Sequence, residues 1–122
     1  MKFLWTTIHV KNLDESIAFY SDLLGLKMMR RFPAGPEMEI AFMGNEAEGE
    51  TLVEFIEDKS NRDVTFGEFI SLGFAVDSVD EMLNTVKEKS IPVHSGPFDV
   101  PGSRYFCIKD PNGLILQLFQ QR

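Results

Sequence analysis

At 122 residues, 43% of them hydrophobic, the chain is one domain by length and carries enough apolar material to bury a core without disulfide or metal staples. Its 12 Lys and Arg against 19 Asp and Glu leave a formal net charge of -7, which repels phosphate backbones and anionic membrane surfaces and argues against nucleic-acid or membrane partners. A single cysteine, Cys107, permits no internal disulfide, no run approaches 18 apolar residues, and Lys2, His9, Lys11 and Asp14 break up the N-terminal segment, so a soluble, cytoplasmic protein is expected.

In chain order, the first predicted strand ends at Val10, and Asn12, three residues before Glu15, has the spacing of a helix N-cap. A short amphipathic helix follows over about 14–24, with Ile17, Tyr20, Leu23 and Leu24 on one stripe and Gly25 as its stop. Strand-like runs come next at 27–32, 38–43 and 51–57, separated by Pro33-Ala34-Gly35-Pro36 and by residues 44–49. A polar stretch at about 59–66 reads as a linker. Beyond it the plan repeats. Phe74-Ala75-Val76 leads into Ser78 and Glu81, again three residues apart, then a helix over about 80–89 with Val79, Met82, Leu83 and Val86 on its apolar side. Further strands are read at 91–94, 104–108 and 114–119, with turns at Ser95-Gly96-Pro97, Pro101-Gly102 and Asp110-Pro111-Asn112-Gly113. Ile8 and Phe74, which begin the two matching segments, are 66 residues apart. The expected fold class is α+β: one domain over 1–122 built from two βαβββ modules, about 1–58 and 67–122, each too small to close a core alone.

The segment from Val10 to Tyr20, the Leu24-Gly25-Leu26 step, and Asp110-Pro111-Asn112-Gly113 followed by Gln117-Leu118 resemble the vicinal oxygen chelate superfamily, which includes glyoxalase I, bleomycin-resistance proteins and extradiol dioxygenases. The likeness spans essentially the whole chain and leans toward small bacterial glyoxalase I. It implies a curved, mostly antiparallel cup-shaped sheet with the helices outside, usually completed in a homodimer, and a metal on the cup floor. In metal-dependent glyoxalases four His or Glu ligands come from equivalent strands. Carried over position by position, they fall on Trp5, Glu54, Ser71 and Gln117. The internal repeat pairs the same positions, since Trp5 and Ser71 are 66 apart and Glu54 and Gln117 are 63 apart.

Three of those four residues are poor ligands. A catalytic zinc or nickel ion needs about three imidazole, carboxylate or thiolate donors. An indole offers only an N–H, Ser71 a neutral hydroxyl and Gln117 an amide oxygen, so if any metal ligand exists here it is Glu54. No cofactor is therefore expected, and nickel, zinc, cobalt or manganese would be needed only if the chain is an enzyme. Each residue has a plain reading beside the functional one. Trp5 is core or an aromatic pocket wall, and Glu54 is a solvent-facing strand residue or a proton-transfer base. Gln117 is locally bonded or orients a ligand amide. His9 is a surface residue or a rim contact for an acidic group, and Arg104 is a surface residue or a fork for a ligand carboxylate. His94 carries no functional reading and Cys107 reads as a buried small hydrophobe. The expectation is a protein that binds a small, partly apolar molecule in the cup through Trp5, Glu54, Ser71 and Gln117, with His9 and Arg104 at its margin, as a homodimer and without the metal. The alternative is a lactoylglutathione lyase, or a related lyase, isomerase or dioxygenase. There, by the resemblance, a metal polarises a carbonyl and Glu54 moves a proton.

Overall fold

The computed structural model describes residues 1–45 and 50–122; the part of the expected 44–49 loop that falls on 46–49 lies outside them. The chain divides into two compact units, Met1–Val64 and Thr65–Arg122, and the division falls inside the expected linker. The first unit runs β1 (Thr6–His9), α1 (Leu13–Asp22), β2 (Lys27–Pro33), β3 (Met38–Gly44) and β4 (Val53–Asp58). Its sheet has the order β1-β4-β3-β2, with β1 parallel to β4 and the other pairs antiparallel. The second unit repeats this as β5 (Ser71–Ala75), α2 (Val79–Glu88), β6 (Ser95–Val100), β7 (Ser103–Lys109) and β8 (Ile115–Gln121), in the order β5-β8-β7-β6 with β5 parallel to β8. The α+β class and the two βαβββ modules are those expected. No helix among the described residues is long and apolar enough to cross a membrane.

Local chemistry starts and stops both helices. The Asn12 side-chain oxygen accepts from the Glu15 N–H at 2.9 Å, and the Ser78 hydroxyl oxygen accepts from the Glu81 N–H at 3.2 Å. At the first exit Gly25 takes φ +73°, and the Leu26 N–H turns back to the Tyr20 carbonyl. At the second, Ser90 sits at φ +58° while Ile91 N–H bonds the Val86 carbonyl. A side chain in the left-handed region costs energy that glycine does not pay. Ser90→Gly is therefore expected to stabilise the chain by about 0.5–1 kcal/mol, read as a rise in urea midpoint at unchanged slope.

One edge differs from the sequence expectation. Residues 91–94 are irregular, and the strand instead occupies Ser95–Val100, through the Gly96-Pro97 step read as a turn. β6 is an edge strand with a register shift between Ser95 and Phe98, so Pro97, which has no N–H to give, falls where the ladder is already interrupted.

Each sheet lays one face against its helix. In β4 the buried Val53, Phe55 and Glu57 alternate with half-buried Glu54, Ile56 and Asp58. Phe55 meets Tyr20 of α1 edge-on at 4.8 Å, and both are fully buried. The helix N-termini are anchored to the last strand of each unit. Glu57 Oε1 accepts from the Leu13 N–H at 2.6 Å, and Gln120 Oε1 accepts from the Val79 N–H at 2.8 Å. Glu57 and Gln120 are 63 residues apart, so the two units place one device at the same ladder position.

Both units also clamp the first helical turn to the sheet with an arginine, but from opposite strands. In the first, Arg31 of β2 binds Glu39 of β3 through Nε and Nη2 at 3.0 and 2.9 Å and Asp14 of α1 at 2.6 Å. In the second, the arginine is Arg104 of β7, bonded to Asp99 of β6 at 2.9 Å and Asp80 of α2 at 3.2 Å. The Arg31 guanidinium holds the Glu39 carboxyl below its ordinary 4.5, and the Ser60 hydroxyl and N–H hold Asp58 below 3.8. Both acids take up protons more readily when unfolded, so their stabilisation is complete above those ordinary values and is lost as pH falls through the lower folded values. The melting temperature is expected to fall below about pH 4.5. Arg31→Met is expected to shallow that acid limb by relieving the hold on Glu39, as a pH series of melting curves reads directly.

Candidate functional site

The face of each sheet turned away from its helix carries the candidate residues. On the first unit, Phe42 pairs with Glu54 across β3 and β4, while Thr7 pairs with Glu54 across β1 and β4. The Thr7 hydroxyl donates to Glu54 Oε1 at 2.7 Å. Trp5, one residue before β1, packs its ring on Phe42 at 5.3 Å between centroids, and Phe32 of β2 meets the other side of Phe42 at the same separation. The Arg30 guanidinium lies 4.6 Å from the centre of the Phe32 ring. The structure therefore brings Trp5 and Glu54 onto one aromatic face. Thr7, which strand alternation aims at the same face as Trp5, and Phe42, which sequence reasoning missed, join them. His9 shares that face but is exposed and stands opposite Ile56, two positions beyond Thr7. Its charge acts on Asp58.

On the second unit, Ser71 and Gln117 line a cavity of about 520 Å3 together with Glu68, His94, Phe98, Tyr105 and Cys107. Cys107 is the ladder partner of Gln117, and Gly73 is its partner on the other side. A Cβ added at Gly73 would sit 3.7 Å from Gln117 Oε1, so glycine leaves the amide unobstructed. Phe98 and Tyr105 form an aromatic wall with centroids 5.3 Å apart. Cys107 is half-buried and lines the cavity, where a buried hydrophobe was expected, and His94 lines it too. The signal that would have found both is the register between β7 and its neighbours, which the loop lengths conceal.

Arg104 is not among the cavity residues. It is the ladder neighbour of Gln120, and alternation along β7 places it with the fully buried Phe106 and Ile108 on the helix side, where Asp80 and Asp99 hold its guanidinium. Those carboxylates push its pKa upward, led by the Asp99 bond.

The positions that the resemblance assigns to metal ligands do not fit a catalytic zinc or nickel ion. Trp5 spends its ring on Phe42 and brings no lone pair, Ser71 and Gln117 are neutral oxygen donors, and Glu54 shares one oxygen with Thr7. Among the described residues no three His, Cys, Asp or Glu group so as to hold a metal ion. What these faces do offer is an aromatic surface with the Glu54 carboxylate, and a half-open cavity with an amide, hydroxyls, a thiol, an imidazole and the Glu68 carboxylate.

Comparison with known proteins agrees with this fold. The sequence profile of the Glyoxalase/Bleomycin resistance protein/Dioxygenase superfamily matches residues 2–118. A protein of Synechocystis sp. named "Probable lactoylglutathione lyase" is 31% identical over 129 residues, covering 98% of this chain and 95% of that one. The trypanothione-dependent glyoxalase I of Leishmania major superposes with a TM-score of 0.83 at 25% identity, covering 98% of this chain and 86% of that chain. Glyoxalase I from Zea mays gives a TM-score of 0.83 at 25% identity, covering 99% of this chain and 44% of that longer one.

Proposed function

The chain belongs to the Glyoxalase/Bleomycin resistance protein/Dioxygenase superfamily, and from that premise we propose that it binds a small, partly apolar molecule on its open sheet faces without the metal of its catalytic relatives. The observation that carries this reading is the donor set. Where a catalytic relative would need imidazole and carboxylate, this chain has an indole packed on Phe42, a hydroxyl and an amide, with Glu54 as the one acid. Such side chains bind organic molecules well: the rings supply apolar area, and the amide, hydroxyl and carboxylate supply orientation. Trp5 and Glu54 act on the first unit, Ser71 and Gln117 on the second. A cytoplasmic homodimer completes the proposal, checked by light scattering on the purified chain.

Two built-in reporters make the reading testable. Trp5 is the sole tryptophan and Cys107 the sole cysteine, one on each candidate face. A ligand drawn from a metabolite and antibiotic panel is expected to change Trp5 emission or to slow alkylation of Cys107, saturably and with a rise in melting temperature. A panel that moves none of the three would count against a ligand site. Elemental analysis is expected to find metal far below one equivalent. Nickel, zinc, cobalt and manganese are expected to leave the melting temperature unmoved.

The second reading is a lactoylglutathione lyase with Glu54 as the proton-moving base, favoured by the names of relatives such as the Synechocystis protein. Hemithioacetal turnover above a heat-killed control would establish it. So would stoichiometric metal whose stabilisation disappears in Glu54→Ala.

A further inference from the structure

Resting on the reading that the open faces bind a small molecule, we propose that the face of the first unit selects an organic ammonium ion: a positively charged amine carrying an apolar group. Glu54 is half-buried in a sheet face that also carries Trp5, Phe42 and Ile56, with Phe42 on one neighbouring strand and Thr7 on the other. Its recorded partner is a neutral hydroxyl, and among the described residues no cation pairs with it. A carboxylate partly withdrawn from water is stabilised most by a positive charge brought to it. An ammonium on the ligand supplies that charge and donates hydrogen bonds to the oxygen that Thr7 leaves available.

The rings point the same way. Trp5, Phe42 and Phe32 form a continuous row, the two adjacent pairs each with centroids 5.3 Å apart, and π faces attract cations while giving an apolar substituent area to bury. Along this row the protein already seats a cation of its own: Arg30, the ladder partner of Phe42, lies over the Phe32 ring. The net charge of -7 draws cationic solutes toward the chain. A divalent metal makes a different demand, several charged or imidazole donors in a tight shell, which one acid and one hydroxyl do not meet. An anionic ligand would meet Glu54 as a like charge.

The test uses the full chain and three probes of matched shape: 2-phenylethylammonium, the neutral 2-phenylethanol and the anionic 3-phenylpropionate, each titrated against Trp5 emission. The ammonium is expected to bind about tenfold more tightly than the alcohol, and the carboxylate more weakly than either. Added salt is expected to weaken the ammonium alone. Glu54→Gln, which keeps an acceptor for Thr7, is expected to erase the tenfold preference of ammonium over alcohol without moving the melting temperature. Phe42→Leu is expected to weaken ammonium and alcohol together. Equal or tighter binding of the alcohol or the carboxylate overturns the ammonium assignment, as does a preference that survives Glu54→Gln, and either result leaves the small-molecule reading standing. Absence of a saturable signal with all three probes also overturns the ammonium assignment. The wider reading then falls only if the metabolite and antibiotic panel also leaves Trp5, Cys107 and the melting temperature unmoved.

Discussion

Glu57→Ala is expected to lower the unfolding free energy by about 3 kcal/mol, measured by urea denaturation, an outsized loss for a polar side chain. Glu57 is 8% exposed, and its carboxylate receives the first N–H of α1 at 2.6 Å. Truncation removes a charge-assisted bond, leaves the Leu13 N–H without that acceptor in a buried setting, and takes a negative charge from the positive end of a helix. Arg62, 3.8 Å from the other oxygen, is more than half exposed and adds little. The second unit supplies the control. Gln120 performs the same task with a neutral amide, so Glu57→Gln should keep the bond and cost no more than about 1 kcal/mol. Equal losses for Ala and Gln would show that the charge, and not the acceptor, anchors the helix.

Phe55→Ala should cost more, about 4 kcal/mol, because a fully buried ring in edge contact with Tyr20 leaves a cavity that a sheet clamped between strands relaxes into poorly. Its sequence neighbour Glu54 should behave in the opposite way. Glu54→Gln should change stability by less than about 0.5 kcal/mol, since the side chain is half-exposed and its Thr7 bond can be kept. Adjacent residues on one strand are thus expected to separate stability from recognition, the odd-numbered face of β4 holding the helix and the even-numbered face presenting the ligand surface. Comparable losses at Glu54 and Phe55 would contradict that division.

Much of this was legible beforehand because it is written in local chemistry. Asn12 with Glu15 and Ser78 with Glu81 announce the helix starts, Gly25 announces an exit, and Asp110-Pro111-Asn112-Gly113 announces a turn in which Asp110 Oδ1 accepts from the Asn112 and Leu114 N–H groups. The second exit, placed at about 89, carried no such signal because a non-glycine residue, Ser90, takes the left-handed position. β6 was misplaced because glycine and proline usually end strands, and an interrupted edge is the setting that tolerates them. Arg104 read as either a surface residue or a ligand fork because sequence reveals its charge but not the face from which Asp80 and Asp99 approach it.

Sequence by itself determined the repeated βαβββ plan, the helix caps, and the presence of an indole, a hydroxyl and an amide beside one acid at the four positions that the resemblance assigns to metal ligands, since these depend on residue identity and short-range spacing. Only the tertiary structure decided that Thr7 and Phe42 flank Glu54, that Cys107 and His94 share a cavity with Gln117, and that Arg104 faces its helix. Those outcomes follow from strand register. A slip of one residue turns every side chain to the other face, and register is settled by pairing between segments distant in the chain.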